Sequence, residues 1–267
     1  MNSDLRLRII PAIIYVLVIV GATLLGSISS IILIQVFSLI CIYEFIFNSY
    51  STSDKSLKGR YVVGVILLGA ILVNLVHQQY LWQGMNYIIC LLFSSNAILI
   101  MLRGKSIFSD GHGILSAIAL SLMPFLLTVN ELLQGAGFSL ILLGVFLILW
   151  LNDAGAYFVG RALGRNKIHP TISPGKTWEG WIGGVVLGMA TSRIISIYIT
   201  QLSLYQWLII AMICGLMGIM GDLTESAWKR HHQIKDSGTI MPGHGGFLDR
   251  LDSFIYSIPF VILYLSL

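Results

Sequence analysis

Apolar runs of about 16 to 20 residues recur along this 267-residue chain and restrict its fold more than any other feature. A helix needs about 20 predominantly apolar residues to cross the hydrocarbon core of a bilayer. The composition agrees, because only 10% of the residues are charged, against about 25% in a soluble domain. The sequence therefore predicts an all-α, polytopic integral membrane protein that folds as a single membrane-embedded domain, residues 1–267.

We expect about nine transmembrane helices, at residues 9–26, 29–47, 61–78, 86–102, 112–129, 138–159, 178–198, 205–222 and 251–266. Basic residues are retained in cytoplasmic loops, so they test the orientation. With a cytoplasmic N-terminus, only Arg193 of the 16 Lys and Arg residues falls on the outer side. We therefore interpret the basic pI as a sign of topology, and we expect no nucleic acid partner. The first run lacks a clear signal-peptide cleavage site and is taken as the first helix.

The acidic residues divide the chain into two halves. Seven of the 12 Asp and Glu residues follow residue 150, so residues 1–149 are predicted to form a helical scaffold and residues 150–267 the catalytic half. Glu44, near the inner end of the second span, is expected to extend its carboxylate to the membrane interface rather than bind a ligand. The three cysteines lie in apolar runs and are expected to be small buried side chains.

Two stretches of the second half place polar residues beside small ones. Asp153, in "NDAGAYFVGRALGR", lies at a depth where an acid usually faces a cavity or a partner. The glycines and alanines that follow it offer a small surface to a neighbouring helix, as do Gly180, Gly184 and Gly188, which recur every four residues.

The second stretch, "ISPGKTWEG", is expected to begin with a turn at residues 173–175. Thr177 would cap the helix that follows. Lys176 beside the free N–H groups of that helix predicts a phosphate contact, whereas a positive-inside lysine on an ordinary turn remains the alternative.

Residues 221–253, "GDLTESAWKRHHQIKDSGTIMPGHGGFLDRLDS", carry the strongest signal. If the eighth helix continues past the membrane, one side presents Asp222, Ser226, Lys229 and Arg230. Asp249 and Asp252 are three residues apart at the start of the last helix and share a face. Carboxylates from two helix ends favour Mg²⁺ together with substrate phosphate oxygens. Glu225 and Lys229, four residues apart, have an ordinary helical ion pair as their simplest interpretation.

The loop before the last helix combines cations with glycine. His244 is flanked by glycines, which permit positive φ angles and close approach of the backbone to a ligand. Lys235, Arg250 and the N-terminus of the last helix add positive potential. Carboxylates for a metal beside cations and amides for phosphates are typical of phosphoryl or nucleotidyl transfer. The adjacent His231 and His232 do not have zinc-site spacing and are interpreted as a solvated pair.

The segment "SAWKRHHQIKDSGTIMPGHGGFLDRLD" resembles the signature of the phosphatidate cytidylyltransferase (CDP-diacylglycerol synthase) family. The stretches around Asp153 and Lys176 resemble further parts of that family, in the same order. Gly175 departs from the pattern, because many relatives have a second lysine there. The resemblance implies a transferase of phospholipid biosynthesis, which converts CTP and phosphatidic acid to CDP-diacylglycerol and pyrophosphate with Mg²⁺. A second cation is left open.

The resemblance also implies residue roles. Asp222 and Asp249 would be metal ligands. The residues predicted to shape the catalytic site are Lys229, Arg230, Lys235, Asp236, His244, Arg250 and Asp252. Those predicted to bind substrate are Asn152, Asp153, Ser173, Lys176, Ser226, Gly245 and Gly246. The family further implies a homodimer in the inner or plasma membrane whose active site faces the cytoplasm.

Two alternatives remain at this point. A CTP-dependent lipid kinase acting on a polyprenol-type alcohol would share the topology but transfer the γ-phosphate and release CDP. A cation-coupled transporter would use Asp153 as a relay, but the charged residues gather near one membrane face rather than at the midplane.

Overall fold

The structure is a computed structural model that describes residues 3–49, 79–103, 128, 137–241, 243 and 245–267. It is mostly helical, with one two-stranded antiparallel hairpin. The elements are α1 (Ser3–Leu24), α2 (Ser27–Ser49), α3 (Gln79–Arg103), α4 (Phe138–Leu163), β1 (Lys167–His169), β2 (Ser173–Thr177), α5 (Trp178–Tyr198), α6 (Leu204–His231), a 3₁₀ turn (Leu248–Arg250) and α7 (Asp252–Ser266).

Seven of the nine predicted spans coincide with these helices, and the spans at 61–78 and 112–129 lie outside the described residues. Within the described part, four helices are long and apolar enough to cross a membrane: Ser27–Phe45, Phe138–Leu163, Trp178–Tyr198 and Leu204–His231. Shorter apolar helices cover Ile9–Leu24, Asn86–Leu102 and Asp252–Ser266. The prediction of a mainly helical chain is therefore confirmed, with four described helices long and apolar enough to cross a membrane, whereas the count of nine and the orientation stay predictions.

Helices α4 and α5 pack closely through the small residues that the sequence singled out. A Cβ placed on Gly155 of α4 would lie 3.0 Å from the carbonyl oxygen of Gly183. A Cβ on Gly180 of α5 would lie 2.8 Å from the carbonyl oxygen of Ala156. The two backbones are thus nearly in contact, as small-residue helix pairs permit, and the polar residues of α4 are held against the start of α5.

The segment before α5 is a strand rather than the predicted turn. Ser173–Thr177 forms β2, which pairs antiparallel with β1, and the turn lies three residues earlier, at 170–172. Pro174 is tolerated because a two-stranded sheet leaves each strand an unpaired edge. The predicted cap is confirmed, since the Thr177 hydroxyl accepts a hydrogen bond from the Gly180 N–H at 3.2 Å.

Helix α6 runs for 28 residues, about 42 Å at 1.5 Å per residue, which exceeds the hydrocarbon thickness of about 30 Å. The predicted continuation of this helix beyond residue 222 is therefore confirmed. Close to its last third, Gly221 lies against the start of α7, where a Cβ would come within 2.8 Å of the Tyr256 Cβ. This contact brings Asp222 of α6 next to Asp252 of α7.

The core lies between α6, α7 and the helices around them. Its largest fully buried side chains include Trp207, Phe146, Phe254 and Tyr256. The three cysteines are free and buried, as predicted. Many large apolar side chains of α1 and α2 are exposed instead, among them Leu17 at 63% and Ile28 at 77%, as expected for helices that face lipid.

Candidate active site

A cavity of about 800 Å³ opens between α4, α5, α6 and the segment that leads into α7. Its volume lies in the range of small-molecule sites, roughly 300 to 1,000 Å³. Nine of the predicted residues line it: Asn152, Asp153, Lys176, Asp222, Lys229, Asp236, Asp249, Arg250 and Asp252. The fold thus brings together residues that lie up to 100 positions apart in the sequence.

The hairpin and α6 meet at an ion pair between Lys176 and Asp222. The Ser226 hydroxyl donates a hydrogen bond to the other carboxylate oxygen of Asp222 at 3.3 Å. Ser226 therefore helps to fix the orientation of the Asp222 carboxylate. Lys176 is therefore next to the acidic side chains and not only at a helix N-terminus.

A second ion-pair network lies one turn further along α6. Lys229 donates to Oε2 of Glu225 at 3.0 Å and to Oδ1 of Asp249 at 2.5 Å. The expected Glu225–Lys229 helical pair is thus confirmed, but it extends to a third residue on a different segment. The network fixes the direction of the lysine side chain, whose exposed fraction is 12%.

Asp249 is held by backbone groups as well as by Lys229. Its Oδ2 accepts hydrogen bonds from the N–H groups of Ser237 at 2.9 Å and Gly246 at 2.8 Å. Burial alone would raise the pKa of this carboxyl group, but a hydrogen bond with the Glu225 side chain, together with Lys229 and the Ser237 amide, outweighs burial and lowers the pKa below its ordinary value. Asp249 is therefore a carboxylate at neutral pH with most of its acceptor sites in use.

Three carboxylates gather beside this network. One oxygen from each of Asp222, Glu225 and Asp252 lies within 4.8 Å of the others. Oε1 of Glu225 is buried and has no hydrogen-bond partner among the described residues. Hard divalent cations bind such oxygen sets, and a cation would satisfy the orphaned oxygen. The donor set thus fits Mg²⁺, and it includes the predicted Asp222, with Glu225 and Asp252 where Asp249 was expected.

The other predicted residues that the structure describes are not among those that line the cavity. Arg230 donates to the Ile234 carbonyl at 3.2 Å and closes the end of α6. Lys235 is exposed, and Ser173 pairs with His169 in the hairpin. His244 lies outside the described residues.

The predicted glycines pack the loop against the protein's own side chains. Gly245 has a φ of 90°, which only glycine adopts readily, and a Cβ there would lie 3.0 Å from Oδ2 of Asp249. A Cβ on Gly246 would lie 2.6 Å from the backbone nitrogen of Gly238. The loop backbone therefore comes close to the acid of the same loop, and its predicted approach to a ligand stays a prediction.

The sequence did not assign three charged residues to this cavity, and it misplaced a fourth acid beside it. Glu225 was assigned only to a helical ion pair, and Arg161 and Lys167, which also line the cavity, were counted only as topology signals. The expectation that Glu44 extends to the interface is wrong, because this residue is 2% exposed and its carboxylate accepts hydrogen bonds from the 237–248 loop. The only available signal was the position of one acid at the end of an apolar span.

Comparison with known proteins bears on what this cavity does. The sequence matches the cytidylyltransferase family over residues 6–267. Phosphatidate cytidylyltransferase from Bacillus subtilis is 32% identical over 271 residues, which cover 99% of this chain and 98% of that protein. The enzymes of the same name from Staphylococcus saprophyticus and Staphylococcus aureus are each 31% identical and cover 96% of this chain.

These matches extend over both halves of the chain, whereas the motifs recognised in the sequence were confined to the second half. The prediction of a nucleotidyltransferase is confirmed, and the chain belongs to the cytidylyltransferase family.

Proposed function

We propose that this chain transfers the cytidylyl group of CTP to phosphatidic acid and releases pyrophosphate, giving CDP-diacylglycerol. The observation that carries the proposal is the cavity itself, in which three clustered carboxylates lie beside Lys176, Lys229 and Arg250. A nucleoside triphosphate with its metal needs that combination of opposite charges. The names of the relatives supply the substrates.

The chemistry needs no nucleophile from the protein. The phosphate of phosphatidic acid has a second pKa near about 6, as phosphomonoesters do, so it is largely dianionic near neutral pH. One of its oxygens attacks the α-phosphorus of CTP while the bond from that phosphorus to the bridging oxygen of pyrophosphate breaks. No proton transfer is required, and the protein contributes position and charge.

Each group of cavity residues has a place in this reaction. Lys176 and Arg250 bind phosphate oxygens, and Lys229 presents a cation whose direction is set by Glu225 and Asp249. Asp222, Glu225 and Asp252 would hold Mg²⁺. When bound, Mg²⁺ draws phosphate oxygens together and offsets the charge of the departing pyrophosphate. Asp153, whose side chain is exposed to the cavity, faces the substrate space.

We infer a cytoplasmic site in the inner or plasma membrane. The segregation of basic residues supports this orientation, and CTP is a cytoplasmic substrate. The exposed apolar faces of α1 and α2 support a bilayer around the helices. The homodimer implied by the resemblance stays a prediction.

The experiment is a reconstitution with defined acceptors. Purified protein in lipid nanodiscs is given CTP and Mg²⁺ with phosphatidic acid, diacylglycerol or a polyprenol. We expect pyrophosphate release only with phosphatidic acid, at a rate that falls at least about 100-fold in Asp222→Asn, since that change removes a metal donor and unpairs Lys176. Release of CDP with an alcohol acceptor would instead show a lipid kinase, and the proposal would fail.

A further inference from the structure

Glu44 lies in α2, within the half of the chain predicted to be scaffold. Its carboxylate nevertheless accepts hydrogen bonds from residues 237–248, here called the catalytic loop. Oε2 accepts hydrogen bonds from the Ser237 hydroxyl and the Leu248 N–H, and Oε1 accepts one from the Phe247 N–H, each at 2.9 Å. The residue is 2% exposed. A buried carboxylate is costly unless it is hydrogen-bonded, and here the loop supplies the donors.

The same loop is held on its other side by Asp249. Ser237 joins the two carboxylates, because its hydroxyl donates to Glu44 while its N–H donates to Asp249 at 2.9 Å. The Gly246 N–H also donates to Asp249, and the next two N–H groups along the chain donate to Glu44. Glu44 and Asp249 therefore divide the donors of one short segment between them.

Two glycines of the loop lie close to the carboxylate of Glu44. A Cβ on Gly238 would lie 2.8 Å from the carboxyl carbon of Glu44, and a Cβ on Gly246 would lie 2.7 Å from Oε2. Contacts below 3.0 Å force a shift of one partner. The lack of a side chain at Gly238 is thus explained by the Glu44 carboxylate, whereas Gly246 is confined by the Gly238 backbone nitrogen and the Ser237 hydroxyl as well as by Glu44.

An apolar anchor fixes the same segment. The ring of Phe247 lies 4.7 Å from that of Phe37 in α2 and 5.9 Å from that of Tyr15 in α1, measured between centroids. These edge-on ring contacts fix how far the segment is buried between α1 and α2. The ring contacts offer no hydrogen-bond acceptor to the neighbouring N–H groups. Glu44 is that acceptor, and it therefore sets the orientation of the segment's backbone.

We propose that Glu44 is a positioning residue: it fixes the 246–248 segment, and through Ser237 and Gly246 it sets the place of Asp249 and hence the direction of Lys229. The inference rests on the proposed function, since it assigns Lys229 a substrate-facing role. Glu44 is not among the residues that line the cavity. Its effect on the reaction is carried through the loop.

The direct test is Glu44→Gln, which keeps the size of the side chain but turns one acceptor into a donor. In either orientation of the amide one of the two backbone N–H groups loses its acceptor, and in one orientation the Ser237 contact must also reverse. We expect kcat to fall at least about tenfold, because displacements of about 1 Å are enough for such losses. KM for phosphatidic acid should change less than about threefold, and Glu44→Asp should retain more activity than Glu44→Gln.

Two companion variants separate positioning from general damage. Cys41→Ala removes a buried side chain one turn away on α2 that makes none of these hydrogen bonds, and it should leave kcat within about twofold of the wild type. Ser237→Ala removes the bridge between the carboxylates. Its effect on kcat should be less than additive with that of Glu44→Gln, because both changes break one network.

A second readout does not depend on turnover. Hydrogen exchange of the amides at 246–248, followed by mass spectrometry without substrate, should be faster in Glu44→Gln and unchanged in Cys41→Ala. If the wild type converts phosphatidic acid and Glu44→Gln keeps wild-type kcat, the inference is overturned. If the wild type shows no such turnover, the proposed function fails, and the exchange data alone test whether Glu44 positions the 246–248 segment. Unchanged exchange in Glu44→Gln then overturns that role, and faster exchange supports it.

Discussion

At the residue scale, the ion pair between Lys229 and Asp249 connects α6 to the catalytic loop. Lys229 is shared by Glu225 and Asp249, and Asp249 also accepts two backbone hydrogen bonds. A buried ion pair of this kind is costly to break from one side, because the remaining charge is left without a partner. The two residues therefore bear on stability as well as on binding.

This network predicts how stability depends on acid. The folded pKa of Asp249 is lowered, so its contribution is complete above its unfolded pKa of about 3.9 and is lost as pH falls through the folded value. In melting experiments without Mg²⁺, the wild type should be more stable than Asp249→Asn at pH 7, and the gap should shrink below about pH 4. A gap that stays constant down to pH 3 would contradict the assignment of Asp249 as the stabilised carboxylate.

At the element scale, the tight contact between α4 and α5 positions the polar residues of both helices. A Cβ on Gly184 would lie 2.6 Å from the backbone oxygen of Asn152, whereas one on Gly188 would lie at an ordinary 3.6 Å from Ile148. The two glycines are one turn apart on the same face. They form a matched pair in which only one site lacks room.

Gly184→Ala should therefore lower the free energy of unfolding by about 1 to 3 kcal/mol through overpacking. Gly188→Ala should be neutral or stabilising by up to about 1 kcal/mol, because alanine is the better helix former. Denaturation in detergent, followed by circular dichroism, measures both. Equal effects of the two substitutions would show that the contact at Gly184 is not tight.

The predictability of these elements follows from how local their signals are. The limits of α5 and the Thr177 cap could be predicted, because apolar periodicity and capping depend on neighbouring residues. The β1–β2 hairpin was missed, since Ser173-Pro174-Gly175 has turn composition and its pairing depends on a strand six residues away. The role of Glu44 could not be predicted, because its partners lie about 190 to 200 positions further along the chain.

At the scale of the whole molecule, the predicted topology places the cavity and the α5–α6 connection on opposite sides of the membrane. Thr200 in that connection and Thr239 in the catalytic loop are both exposed. The three native cysteines are buried, so a cysteine introduced at either position reports with little background. The segregation of basic residues favours Thr239 on the cytoplasmic side.

We expect a membrane-impermeant maleimide to label Thr200→Cys in intact cells and Thr239→Cys only in inside-out vesicles. The reason is that Lys and Arg are concentrated around the second position, whereas Arg193 is the one basic residue near the first. Labelling of Thr239→Cys in intact cells would reverse the orientation, and the site could then not receive cytoplasmic CTP.

The most direct test of the central claim follows the phosphorus atoms of CTP. Purified wild-type protein with phosphatidic acid and Mg²⁺ is given CTP labelled at the α-phosphorus or, separately, at the γ-phosphorus. Attack at the α-phosphorus predicts that the α-label enters the lipid product and the γ-label is recovered in pyrophosphate. Recovery of the γ-label in lipid, or of neither label, would contradict cytidylyl transfer by this cavity.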